Sequence, residues 1–391
     1  MSGNNFFNVL SNSNEENVKA RTGLLSTGHS EIETPVFMPV GTLGTVKAIQ
    51  QRELEEFDTR IILGNTYHLF LRPGMEVMEN AGGLHEFMSW DKSILTDSGG
   101  FQIFSLSKLK KISEEGVEFS SHLNGDKYFF TPEKVIDIQR IIGSDIMMPL
   151  DECLPYPSDR KTVEKSIALT SRWEKRCFDH FKKTEDRYGF TQRLFSINQG
   201  STFQDLRIRS IEELIKYDFD GHAIGGLAVG EENELMYEIV NISTSILPEN
   251  KPRYLMGVGT PVDLLECVER GIDMFDCVMP TRNARHGKIF TSTGEVNIKS
   301  AKYKNDFNTP DEECKTYTSM NFSLAYLRHL FISNEILGLQ LASIHNTGFY
   351  LNLMKNIRNA IRTNTFKSFK NNFLEKYFQI NNYRKQQERK S

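Results

Sequence analysis

The chain has 391 residues, 39% hydrophobic and 25% charged, with a net charge of −4. That balance excludes a disordered or generally polybasic protein and allows a large buried core. No apolar run reaches the ~18 residues needed to span a membrane, and the N-terminus lacks the basic-then-apolar pattern of an export signal, so a cytoplasmic location is expected. The five cysteines, Cys153, Cys177, Cys267, Cys277 and Cys314, are scattered and read as reduced thiols. Charge is uneven: residues 355–391 hold ten Lys and Arg against two Glu, a net of +8 on a body of −12. Such an arm suits either contact with nucleic acid or a solvated helical tail.

Residues 1–15, rich in Asn and Ser, are expected to be loose. No repeat of ~20–50 residues follows. Instead, short apolar runs end at polar or glycine-rich groups. In chain order these are Ile94 to Gly100, Asp145 to Glu152, Leu194 to Gly200, His222 to Leu227, Tyr254 to Gly259, and Met274 to Gly287. Helical patterns separate them. Phe203 to Tyr217 places Leu206, Ile208, Ile211, Leu214 and Ile215 roughly on one face, and Pro261 to Gly271 starts with Pro and ends with Gly. Strand-then-helix alternation implies parallel strands with helical crossovers. Polar groups at the strand C-termini favour a (β/α)8 TIM barrel over residues 16–365, with an open doubly wound sheet as the alternative. No G-x-G-x-x-G follows a strand, which weakens the nucleotide-binding versions of that alternative. Residues 300–350 break the rhythm and read as an inserted or appended subdomain, and 366–391 as a basic C-terminal tail.

The last of these runs delivers Asp276 to a strand end, followed by Pro280, Arg282, Arg285 and His286. A carboxylate beside cations is a nucleophile or ion-pair candidate next to an anion-binding loop. Asp97 ends another strand. Two such carboxylates suit displacement at a sugar carbon, one attacking and the other handling the leaving-group proton. Each also suits a helix N-cap. Asp151, Gln199 and the backbone around Gly225, Gly226 and Leu227 add the donors and acceptors that read an extruded base, and Phe101 and Met256 are placed to sandwich its ring.

With these motifs, together with Thr34 to Thr42, Gly64 to Leu69, Thr96 to Gln102, Asp151-Glu152-Cys153 and Ile224 to Glu231, the chain resembles the bacterial-type tRNA-guanine transglycosylases over nearly its whole length. The resemblance implies a barrel enzyme that swaps guanine at the anticodon wobble position of tRNA for a 7-substituted 7-deazaguanine. It implies Asp276 as nucleophile and Asp97 as proton acceptor. Base-binding residues would be Asp97, Ser98, Gly99, Gly100, Phe101, Asp151, Gln199, Gly226, Leu227, Val229 and Met256. RNA would lie along Gly257, Val258, Gly259, Thr260, Pro261, Val262 and Asp263, and along Thr281, Arg282, Asn283, Ala284 and Arg285. Val229 would favour the aminomethyl precursor of queuosine over the larger queuine. Partners are then tRNA and the base, with a homodimer expected and neither DNA nor membrane. A queuine-salvaging enzyme and a catalytically silent tRNA-binding relative are the alternatives. Members of the family hold structural zinc through C-x-C-x-x-C and a later His. Here those positions read Cys314, Thr316, Ser319 and His345, so no metal and no other cofactor is expected. The 306–350 region would be pinned by Phe322, Tyr326, Leu327, Leu330 and Phe331 on one helical face. Ser201 replaces the second glycine usual after Gln199, a change expected to shift the base-binding loop.

Overall fold

Hydrophobic residues two apart along each apolar run point into one interior. Val36 and Met38, Ile61 and Leu63, Ile146 and Met148, and Phe195 and Ile197 form it, with Leu95, Ala223, Tyr254 and Met274. That period of two, repeated in parallel strands, closes a sheet on itself. The computed structural model describes residues 6–106 and 110–388. Among them, eight parallel barrel strands run in chain order: Val36–Met38, Ile61–Asn65, Ser93–Asp97, Ile146–Met147, Arg193–Asn198, Gly221–Ile224, Arg253–Leu255 and Met274–Asp276. The eighth pairs with the first, and a bridge between Val40 and Leu63 joins first to second. The barrel is therefore closed, and the open-sheet alternative falls. The six runs read from sequence supply strands three to eight. The two helical patterns are the helices Gln204–Leu214 and Pro261–Glu269.

The expectation of a loose start is corrected for residues 6–15, and residues 1–5 lie outside the described residues. Phe7–Asn12 pairs with Arg21–Ser26, which pairs with Glu31–Thr34. Asn8 and Asn12 are exposed positions of an alternating strand, while Phe7, with Leu25 and Ile32, plugs the bottom of the barrel. Two buried carboxylates fasten this sheet. Arg21 grips Asp273 with Nε at 2.9 Å and Nη2 at 2.6 Å, and His29 Nδ1 lies 2.7 Å from Asp145 Oδ1. Removing one partner of the buried Arg21–Asp273 pair costs about 3–5 kcal/mol.

Two insertions depart from the regular alternation. A three-stranded antiparallel sheet, Lys110–Ile112, Val117–Ser120 and Lys127–Phe130, follows strand three. The subdomain follows strand eight, but not with the expected edges. It begins with the hairpin Lys288–Thr291 and Gly294–Asn297, and position 350 falls inside one unbroken helix, Ile336–Arg362. No proline interrupts that helix, and its second half packs Tyr350, Leu353, Met354 and Ile357 into the barrel's outer core. In the short helix Leu324–Ile332, Leu324, Leu327, Leu330 and Phe331 are buried, whereas Tyr326 is exposed. The C-terminal tail is not a free arm. Phe366–Glu388 is helical, Phe366 and Tyr377 are buried, and Lys370 sits between Glu266 and Glu269. The side chains of its most basic stretch, 384–390, lie outside the described residues.

Candidate active site

The interior rows end in the site. Two residues beyond Leu95 comes Asp97, and two beyond Met274 comes Asp276. By the same step Leu63 leads to Asn65, Ile197 to Gln199, and Tyr254 to Met256. Of the five residues that would be a further hydrophobic layer, all but Met256 are polar. They line a pocket of roughly 370 Å³ at the C-terminal mouth of the barrel, together with Asp151, Phe101, Gly226, Leu227 and Val229. Sequence reasoning thus named residues from six different strand ends that the fold brings together.

Asp276 uses one oxygen for support. Tyr254 Oη donates to its Oδ1 at 2.6 Å and the Gly257 N–H at 2.8 Å. Among the described residues nothing donates to Oδ2. Burial raises the pKa of this carboxyl above the ordinary carboxylate value, against both hydrogen bonds. Asp97 is held by both oxygens. Asn65 Nδ2 donates to Oδ2 at 2.5 Å, and the Thr66 and Gly99 N–H groups donate to Oδ1 at 3.0 and 3.1 Å. Burial pushes its pKa up to about 7, and the charges of Asp276 and Asp151 add to the effect. A carboxyl that titrates near neutrality can give and take a proton at working pH.

Beside this pair lies a hydrogen-bonded wall. Gln199 Nε2 donates to Asp151 Oδ2 at 2.7 Å, and Ser98 Oγ to Oδ1 at 3.2 Å. Burial lifts Asp151 to about 6. Gly226 has φ of 63°, and a Cβ there would stand 2.4 Å from Gln199 Oε1, so a side chain would displace the amide. Cys153 and Cys277 also line the pocket, but burial pushes both thiols up to about 12, which excludes them as nucleophiles. Phe101 is half exposed on the opposite rim, and Met256 is partly buried above the interior core.

The sequence profile of the queuine tRNA-ribosyltransferases matches residues 16–379. Proteins carrying that name are similar along nearly their full lengths. One from Caldanaerobacter subterraneus subsp. tengcongensis is 58% identical over 360 residues, 92% of this chain and 95% of its own. One from Aquifex aeolicus is 55% identical over 368 residues, 92% and 96%. One from Bacillus subtilis is 52% identical over 358 residues, 92% and 93%. The chain belongs to the queuine tRNA-ribosyltransferase family.

Burial differs among the residues expected to touch base or RNA. Ser98, Gly99 and Gly100 are buried after strand three; Ser98 and Gly99 line the pocket and Gly100 does not. Val258, Gly259, Pro261 and Asp263 are buried, so the loop presents Gly257, Thr260 and Val262. Asp263 is saturated by Tyr237 Oη at 2.6 Å and Thr260 Oγ1 at 2.5 Å. Gly259 presses on strand eight, and a Cβ there would stand 2.3 Å from Cys277 Cβ. On the helix Met279–Arg285, Thr281 and Ala284 are buried, while Arg282 is exposed and Arg285 and Asn283 are half exposed.

Sequence reasoning missed Asn65 and Tyr254, the side chains that orient the two carboxylates, and Arg207. That arginine is fully buried. Its Nε donates to Ser201 O at 2.7 Å, its Nη1 to Asn198 O at 2.8 Å and its Nη2 to Gly226 O at 3.4 Å. It ties the loops after strands five and six together behind Gln199. Ser201 holds φ of 51°, a region that suits glycine, and Arg207 is its anchor. Glu231 similarly fixes the loop bearing Val229, accepting from the Ala228 and Val229 N–H groups at 2.5 and 3.0 Å. No helix among the described residues is long and apolar enough to cross a membrane.

Proposed function

We propose that this chain is a tRNA-guanine transglycosylase of queuosine modification, working by double displacement through Asp276. The carrying observation is the pair of carboxylates in one pocket with different supports. Among the described residues Asp276 keeps one oxygen without a donor, as an attacking group needs. Asp97 is held on both sides and titrates near neutrality, as a proton carrier needs. Asp276 attacks C1′ of the target ribose, the C1′–N9 bond to guanine breaks, and Asp97 protonates the departing base. The incoming 7-deazaguanine then returns its N9 proton to Asp97 as it displaces Asp276. Two inversions give net retention at C1′. Asp151 is placed to accept the ring and exocyclic N–H groups of the base edge, with Gln199 and the Gly226 loop meeting its carbonyl. A base inside a stack does not reach this pocket, so the target nucleotide is extruded from a single-stranded loop, read as the wobble position. Arg282 and Arg285 are set for its phosphates. Exchange of labelled guanine in tRNA, with each candidate base offered in turn, tests the reading.

Val229 narrows the pocket where the substituent on C7 would pass, which favours the small aminomethyl precursor over queuine. Val229→Gly removes three carbons and should raise kcat/KM for queuine relative to the precursor by at least about 10- to 200-fold, the range that one methylene commands. An unmodified protein that already uses both bases equally would make it a salvage enzyme.

A homodimer is part of the proposal. The subdomain exposes Phe307, Met320, Ile332 and Ile336. Tyr317, Phe322, Tyr326 and His329 form a row of rings with neighbouring centroids 5.7, 5.4 and 6.5 Å apart. Apolar faces of this kind mark association surfaces. Sedimentation velocity at micromolar concentration should give a dimer, reduced to monomer by Tyr326→Asp. A wild-type monomer would remove this element.

A further inference from the structure

The family's structural zinc would sit where Cys314, Thr316, Ser319 and His345 stand in this chain. All four are buried, at 7% exposure or less. Three of their side chains still converge. Thr316 Oγ1 lies 3.1 Å from His345 Nδ1 and 3.2 Å from Ser319 Oγ. These are nearly the ligand-to-ligand spacings of a tetrahedral metal site, which run on the order of 3.5 Å for bonds of 2.0–2.3 Å.

The donor set nevertheless does not fit zinc. One thiol and one imidazole remain, and the other two groups are hydroxyls that stay neutral unless a metal deprotonates them. The hydrogen bonds decide the matter more sharply. His345 Nε2 is 2.8 Å from Phe290 O, which can only accept, so Nε2 carries the hydrogen. In the neutral ring Nδ1 is then bare, and the Thr316 hydroxyl donates to it. Thr316 Oγ1 in turn accepts from the Ser319 N–H at 3.2 Å. Ser319 Oγ accepts from the Thr316 N–H at 2.9 Å and donates to Cys314 O at 2.5 Å. Asn352 Nδ2 approaches Cys314 Sγ at 3.6 Å. The lone pair His345 would offer a cation already faces a hydrogen. Nor is any side-chain N or O atom of Thr316, Ser319 or His345 left without a partner among the described residues.

We infer that this chain has exchanged the family's zinc for a metal-free, hydrogen-bonded clasp. Thr316, His345 and Phe290 tie the loop before the helix Tyr317–Asn321 to the long helix Ile336–Arg362 and to the hairpin. Thr316 and Ser319 close the loop on itself as a reciprocal cap of that short helix. Asp311 adds a second fastening, accepting from Ser292 N at 2.7 Å and Oγ at 2.8 Å and from Cys314 N at 3.2 Å. Beneath the clasp, Leu324, Leu327, Leu330 and Phe331 supply the apolar contact that a metal-bound subdomain would need less. Neither a chelator nor thiol oxidation at a metal cluster should therefore loosen this subdomain.

The clasp is tested without reference to catalysis. Protein purified without metal-affinity resin or chelator should contain less than about a tenth of a zinc per chain, and its melting temperature should not move in excess EDTA. Thr316→Cys combined with Ser319→Cys restores three thiolates around His345. That variant should take up one zinc per chain and lose melting temperature when the zinc is stripped. Near-stoichiometric zinc in the unmodified protein, removed by Cys314→Ala, would overturn the inference. So would a restored variant that folds, by its far-UV dichroism, yet takes up no zinc, because the four positions would then not converge.

Discussion

Asp276→Asn should abolish base exchange, by on the order of 10,000-fold or more, while the protein stays folded and holds tRNA. The geometry makes this substitution clean. Both donors to Asp276, Tyr254 Oη and the Gly257 N–H, meet Oδ1. An asparagine can keep its carbonyl oxygen there and turn its NH2 to the position of Oδ2, so shape and hydrogen bonds survive and only the nucleophile is lost. Stability should follow the charge. A carboxyl whose folded pKa is raised contributes stability below its unfolded pKa and loses it as pH rises through the folded value. Asp276 is such a group. At pH 8 the asparagine variant should therefore melt at or above the wild-type temperature, and a gap in its favour should close as pH falls toward 4. Exchange of labelled guanine and filter binding of tRNA separate the two effects. Turnover within tenfold of wild type would remove Asp276 from the nucleophile role.

Asp97→Asn should lower exchange by about 100- to 10,000-fold, the usual worth of general acid–base help. Here the substitution is less clean. Oδ2 receives Asn65 Nδ2, and Asn65 Oδ1 is committed to the His68 N–H, so an amide at position 97 sets one NH2 against another. Part of the loss will be positional, and the pH profile isolates the rest. The incoming base must give its proton to an ionised Asp97, so kcat/KM for that base should rise with pH through about 7 in the wild type. The variant should show no such rise. A profile with the same inflection in both proteins would reduce Asp97 to a positioning residue.

The barrel and the paired carboxylates were legible because both rest on local pattern. Short apolar runs such as Ile94-Leu95 end at polar groups, and a carboxylate at the end of such a strand is delivered to the mouth. The N-terminal sheet was not legible, because its Asn and Ser residues read as disorder until Phe7 is seen against the barrel floor. Arg207 was hidden for a different reason. It lies on a helix beside Leu206, where a charge ordinarily faces water, and its acceptors are backbone carbonyls that leave no mark in composition. Tyr254 was hidden because a tyrosine in an apolar strand looks like core, and only its partner on the neighbouring strand, Asp276, gives the hydroxyl a role.

The account stands or falls on a covalent bond between Asp276 and the target ribose. The direct measurement is mass spectrometry of protein mixed with an anticodon stem-loop, quenched within milliseconds to seconds and digested under mild acid. The peptide containing Asp276 should carry the RNA, less one guanine, through an ester at that carboxylate. The adduct should vanish on adding a 7-deazaguanine and be absent from Asp276→Asn. An adduct on another residue, or exchange at full rate with none formed at any time point, would contradict it.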